Sequence, residues 1–161
     1  MSEIFLHPGE YHVGHVGCRI RTVLGSCVSI TLWHPERRIG AMSHFLLSAR
    51  GLGKAGALDA RYAEEAMSLM LRDLASERVN PRDCQAKLFG GGNMFPGWVG
   101  PSSQNLGQKN GETARALVRA QGIPIVSESL FGIGHRSLIF DIASGSVWLR
   151  QTNVGHRTGP A

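Results

Sequence analysis

A cysteine set directly behind a break in an apolar strand is the residue of this chain best suited to act as a nucleophile. Cys27 stands in Leu24-Gly25-Ser26-Cys27-Val28. A Gly-Ser break lets the backbone bend, so that a thiol can be exposed beside free N–H groups instead of aimed at a strand neighbour. A thiol becomes useful when a base stands beside it or its pKa falls. His44, in Met42-Ser43-His44-Phe45-Leu46, is the candidate base, because a polar ring in an apolar strand needs a partner. A buried inert cysteine and a core histidine bonded to backbone would suit the same residues. The pair is favoured by the predicted hairpin, which makes the two side chains cross-strand neighbours and should raise the thiolate fraction of Cys27.

The remaining chemistry-bearing residues make weaker patterns. His12-x-x-His15-x-x-Cys18, with His7 nearby, superficially resembles a metal site. In an extended segment, however, a spacing of three places side chains on alternating faces, and zinc needs four converging ligands. No metal and no cofactor is therefore expected. His34 falls in a turn, His135 in a loop and His156 in a tail. Gly90-Gly91-Gly92-Asn93 lacks the Lys and Ser/Thr of a phosphate loop, so these glycines are expected to allow a close backbone approach or positive φ angles. Met94, Phe95 and Trp98 beside them could form an apolar contact surface.

These residues need elements to position them. Cys18 to Trp33 is rich in β-branched residues and reads as two strand segments joined at the Gly25-Ser26 kink. The turn His34 to Arg38 returns the chain into an apolar strand from Ile39 to Leu47. Arg50 to Ala57 is a glycine-rich loop. Between Asp59 and Glu77, Ala63, Met67, Met70, Leu71 and Leu74 recur at helical spacing, and Asn80-Pro81 should end that helix. Further strands are expected at Gln85 to Phe89, Ile123 to Glu128, Ser137 to Ile142 and Ser146 to Arg150. A second helix is expected from Gly111 to Gln121, with Asn110 as N-cap and Gly122 as its stop. The amino-terminal stretch reads as a polar start, and residues from Gln151 onward as a frayed tail.

Composition narrows the class. The chain has 161 residues, the size of one domain, and residues 1–161 are expected to form a single unit of α+β class. Its net charge of +5, from 17 Lys plus Arg against 12 Asp plus Glu, is spread along the chain. Lys54, Lys87 and Lys109 are the only lysines, and no basic arm with interleaved aromatics points to nucleic acid. An odd count of 3 cysteines without a C-x-x-C pair fits a reducing compartment, hence a cytoplasmic location. No apolar run approaches the length of a membrane span or a signal peptide.

Five motifs run in order across nearly the whole chain. They are L-G-S-C-V (Leu24 to Val28), G-A-M-S-H (Gly40 to His44), F-G-G-G-N-M-F (Phe89 to Phe95), N-L-G-x-x-N (Asn105 to Asn110) and G-x-R-S-x-x-F-x-x-x-x-G-x-V (Gly134 to Val147). Together they resemble CheD, the chemoreceptor glutamine deamidase family of bacterial and archaeal chemotaxis. The resemblance implies a three-layer α/β sandwich, here a β-rich mixed sheet with two main helices. It implies a cysteine hydrolase that converts receptor glutamines to glutamates and in some members cleaves glutamyl methyl esters. By motif position, Cys27 is the nucleophile and His44 the general base.

The family's third residue is a threonine a few positions before the cysteine. Here Thr22 stands five before Cys27, and Arg21 six. Use of Thr22 would require a bulge, for which Gly25 offers a place; otherwise the histidine is oriented differently. The implied partners are the cytoplasmic helices of chemotaxis receptors and a CheC-type phosphatase, with no nucleic acid and no membrane insertion. The alternative is a weakly catalytic regulatory module that binds such a phosphatase or the receptor.

Overall fold

The two β-branched stretches around Gly25 belong to different sheets, and the three residues between them carry the chain from one to the other. The computed structural model describes residues 1–51, 56–97 and 103–152. Lys54, Trp98 and His156 lie outside the described residues. The strands are β1 (Ser2–Phe5), β2 (Tyr11–Gly14), β3 (Cys18–Leu24), β4 (Val28–His34), β5 (Ile39–Ser43), β6 (Gln85–Gly90), β7 (Ile125–Leu130), β8 (His135–Asp141) and β9 (Val147–Thr152). Helix α1 (Ala63–Ser76) follows β5, and α2 (Ser103–Ala120) follows β6.

One sheet has the order β1-β3-β8-β9 and the other β2-β5-β4-β6-β7. Both are mixed, since β1 runs parallel to β3 and β6 parallel to β7 while the remaining pairs are antiparallel. Among the described residues the chain adopts the expected α+β class with two main helices, and its strands make two mixed sheets where one was expected.

Side-chain alternation explains the stacking. In β3, Ile20, Thr22 and Leu24 point inward while Arg21 and Val23 are exposed. The inward residues meet Phe140 of β8 together with Met42 of β5 and Phe89 of β6, forming the core between the sheets. On the far face of the second sheet, Ile30, Leu32 and Leu88 pack against Met67, Met70 and Leu74 of α1 and Ala114 and Val118 of α2. Strand β4 is buried on both faces, which is why it reads as an almost continuous apolar run. Each fully buried Leu or Ile there contributes about 1.5–3 kcal/mol.

Several expectations are corrected. The supposed polar start contains β1 and β2, edge strands of the two sheets. Helix α1 stops at Ser76, before Asn80-Pro81; Arg78 takes φ +58°, and Asn80 instead caps a short 3₁₀ turn over Pro81–Asp83. Helix α2 begins at Ser103 and not at Gly111, so Asn110 is an interior residue and not an N-cap. Gly107 and Gly111 obscured this, because glycine weakens an isolated helix. Both are needed for close packing: a Cβ on Gly107 would stand 2.6 Å from the Gly91 carbonyl oxygen, and one on Gly111 would strike the Phe131 ring. His135 opens β8 and does not lie in a loop. Gln151 and Thr152, expected to be frayed, pair with Arg136 and His135, while residues 153–161 of the expected tail lie outside the described residues.

Candidate active site

The segment Gly25-Ser26-Cys27 leaves one sheet and enters the other, so it is free of both ladders and is held by other means. The carbonyl of Gly25 accepts from Gly92 N–H at 2.9 Å, and that of Cys27 from Gly91 N–H at 2.9 Å. The carbonyl of Ser26 accepts from Asn110 Nδ2 at 3.2 Å. The triple glycine is thus a backbone clamp on the cysteine segment. Gly90 and Gly91 have φ of +110° and +65°, and a Cβ on Gly90 would collide with the Cys27 carbonyl.

Val28 and Phe45 exchange hydrogen bonds of 3.1 and 3.0 Å, and Thr31 pairs with Met42. This register sets His44 opposite Ser29, so Cys27 and His44 are diagonal neighbours across the hairpin. Strand alternation places both side chains on the face turned toward the first sheet. Diagonal positions lie about 7–8 Å apart along the backbone, within reach of an imidazole.

Across the gap stands Thr22. Its Oγ1 lies 2.7 Å from His44 Nδ1 and donates to the Leu6 carbonyl at 2.8 Å. A carbonyl can only accept, and the hydroxyl has one proton. The Thr22 oxygen must therefore accept from Nδ1–H, which leaves the lone pair on Nε2. A histidine in this tautomer can take a proton through Nε2.

No bulge is needed to bring Thr22 to His44. Strand β3 pairs with β8 in unbroken register from Arg19 to Leu24, and the inward turn of Thr22 follows from plain alternation. Arg21 points outward, 3.1 Å from Glu3. A cleft of about 370 Å³ beside this strand is lined by Phe5, Arg21, Thr22, Val23 and Trp148 among others. The bulge argument failed because it assumed that β3 and β4 share a sheet.

The amino-terminal segment, which sequence reasoning passed over, holds the site from a third side. His44 N–H donates to the Glu10 carbonyl at 3.0 Å, and the His44 carbonyl accepts from Gly9 N–H at 2.8 Å. Its only signal in the sequence was a Pro-Gly turn between short alternating runs.

Burial governs the protonation of both groups. It pushes the Cys27 thiol up from its ordinary value and the His44 imidazole down to about 4. Glu10 pulls His44 upward but is outweighed, and His7 adds to the depression. The expected raised thiolate fraction is thus corrected: the resting pair is a neutral thiol and a neutral imidazole, because a half-closed gap between two sheets disfavours either charge. A thiol in this state becomes a nucleophile only as its proton is removed.

A stability consequence follows. Between pH 6.5 and about 4 the unfolded chain takes up a proton at His44 that the folded chain refuses, so stability falls as pH falls through that window. The depression to about 4 corresponds to about 3 kcal/mol at 1.36 kcal/mol per pH unit. Urea unfolding at pH 7 and pH 4.5 should show this loss in the wild type and a smaller one in His44→Gln; equal losses in both would contradict the assignment.

The histidines considered for metal binding do not converge. His15 Nε2 pairs with Glu77 Oε1 at 3.2 Å, Cys18 is buried between the sheets, and among the described residues no three His, Cys, Asp or Glu side chains group as ligands would. His34 Nδ1 accepts from Arg37 N–H at 3.1 Å within its turn.

Comparison with known proteins gives the sequence its relatives. Residues 46–151 match the family model described as CheD chemotactic sensory transduction. A relative from Albidiferax ferrireducens is 58% identical over 92% of this chain and 87% of its own. The chain belongs to the CheD family. That relative is named "probable chemoreceptor glutamine deamidase CheD 2", and CheD proteins from Dechloromonas aromatica and Thermococcus kodakarensis are also named probable chemoreceptor glutamine deamidases, at 46% and 36% identity. The latter match covers 95% of each chain. The match to the family model begins at residue 46, after Thr22, Cys27 and His44.

Proposed function

We propose that this chain is a protein-glutamine glutaminase that deamidates glutamine side chains of chemoreceptors, with Cys27 as nucleophile, His44 as general base and Thr22 as the residue that orients His44. The Thr22–His44 hydrogen bond is the observation that carries the reading, since it occupies Nδ1 and leaves the lone pair on Nε2. The names of the relatives supply the substrate class.

Cys27 Sγ attacks the carboxamide carbon as its proton passes to His44 Nε2. The resulting oxyanion is met by backbone N–H groups of the cysteine segment, each such donor contributing about 3 kcal/mol in the transition state. His44 then protonates the departing ammonia, leaving a thioester. Water, deprotonated by His44, attacks the thioester, Cys27 leaves and regains its proton, and glutamate is released. A glutamyl methyl ester would follow the same course with methanol as the leaving group. The substrate is a cytoplasmic segment of the receptor, and a CheC-type phosphatase is a further partner. No described helix is long and apolar enough to cross a membrane. The weakly catalytic alternative rested on whether Arg21 or Thr22 serves the histidine, and the bond from Thr22 favours the catalytic reading.

Ammonia release from a purified cytoplasmic receptor fragment tests the proposal: release is expected with the wild type, and its absence would count against it. Thr22→Val should lower that rate by about 10-fold or more while slowing Cys27 alkylation only modestly, because histidine orientation is lost and the thiol remains. A fully active Thr22→Val together with an inactive Arg21→Ala would overturn the role of Thr22.

A further inference from the structure

Asn110 lies in the middle of α2, fully buried, with every polar atom of its side chain engaged. Nδ2 donates to the Ser26 carbonyl at 3.2 Å and to the Leu46 carbonyl at 2.7 Å. Oδ1 accepts from Ser48 Oγ at 3.1 Å, and Ser48 Oγ in turn accepts from Thr113 Oγ1 at 2.9 Å. Since two carbonyls can only accept, the nitrogen must face them, and the orientation of the amide is settled.

The two carbonyls belong to the two segments that carry the chemistry. Ser26 precedes Cys27, and Leu46 stands two residues after His44. In a trans peptide the C=O and the following N–H point in opposite directions, and no described peptide bond is cis. Holding the Ser26 carbonyl toward α2 therefore turns the Cys27 N–H away from it. Gly92 and Gly91 hold the carbonyls on either side, whereas among the described residues no hydrogen bond takes the N–H of Ser26 or Cys27. The segment has its acceptors tied and its donors open, which is the arrangement an oxyanion requires.

We infer that Asn110 is a positioning residue for the reaction: by bonding the Ser26 and Leu46 carbonyls at once, it orients the Cys27 amide as the oxyanion donor and fixes the cysteine segment against the segment that carries His44. This rests on the proposed thiol-dependent deamidation. A residue acting only on the fold would lower stability without distinguishing between reactions of the same thiol. Asn110 separates them, because attack on a carboxamide generates an oxyanion and alkylation by iodoacetamide does not.

The test compares wild type, Cys27→Ala, Asn110→Ala, Asn110→Asp and Thr113→Val, measuring ammonia release from a receptor cytoplasmic fragment and the rate of Cys27 alkylation by iodoacetamide. Both Asn110 variants should lose about 100-fold in kcat, the scale of a lost oxyanion donor, with KM and alkylation within about 3-fold of wild type. Thr113→Val, which removes only the outer end of the network, should remain active. Asn110 variants with near-normal kcat, or with alkylation falling in step with kcat, overturn the inference and leave the deamidase reading standing. Wild type without ammonia release, or Cys27→Ala as active as wild type, overturns the deamidase reading and the inference with it. Should neither Asn110 variant fold, amide hydrogen exchange in the wild type decides. The Cys27 amide should exchange faster than that of Val28, which is bonded to Phe45, and slower exchange overturns the inference.

Discussion

Replacing Cys27 with alanine is expected to lower receptor deamidation by about 10⁴-fold or more, to the level left by binding and backbone donors alone. Neither other cysteine could stand in for it, because Cys18 and Cys84 are buried in the two cores. Burial, with Asp83 adding to it, pushes the Cys84 thiol up to about 11, which makes it poor both as a nucleophile and as a target. Cys18→Ala and Cys84→Ala should therefore remain active, and brief iodoacetamide treatment near neutral pH should label Cys27 first by peptide mapping. Labelling of Cys84 with activity retained would remove Cys27 from its role.

The second large effect is at His44. His44→Ala should lower kcat by about 10² to 10⁴, the usual contribution of a general base. The neutral resting pair adds a signature. With the imidazole gone, the burial-raised thiol must ionise by itself, so the residual activity of His44→Ala should climb with pH to beyond 9. The wild type should instead hold a plateau from about pH 5 upward, because His44 already has its lone pair free above about 4. Rate profiles of both proteins across that range check this. Parallel profiles would mean that His44 is not the group that accepts the proton. His12→Ala and His15→Ala should stay near wild type, since neither side chain is bonded to the Thr22, Cys27 or His44 side chains.

How much of this was legible in the sequence depends on whether a residue is placed by its neighbours in the chain or by distant segments. Cys27 and His44 could be named because a thiol behind a Gly-Ser break and a ring in an apolar strand are local anomalies, and the hairpin between their strands is local too. Helix α1 was legible from its period, as was the stop at Gly122, which takes φ +72°.

What escaped was nonlocal. Thr22 reaches His44 because β3 and β4 lie in facing sheets, a relation that no spacing along one strand encodes. Asn110 read as a cap because Gly107 and Gly111 disguised the first half of α2, and those glycines answer to Gly91 and Phe131, not to the helix. Strands β1 and β2 are four residues each and largely unburied, so they lack the apolar alternation that announces a strand. Arg136 was only a letter in a motif, yet its buried guanidinium donates to the Gly90 and Phe131 carbonyls at 3.2 and 2.6 Å, fixing the glycine clamp from below.

The central claim is that this chain converts receptor glutamine to glutamate through the Cys27 thiol. Mass spectrometry of peptides from a receptor cytoplasmic fragment incubated with wild type or Cys27→Ala tests it most directly. The wild type should add roughly one dalton to peptides carrying particular glutamines, the change from NH₂ to OH produced by hydrolysis of the thioester, while Cys27→Ala leaves them unchanged. An equal shift with both proteins, or none with the wild type, would contradict the account.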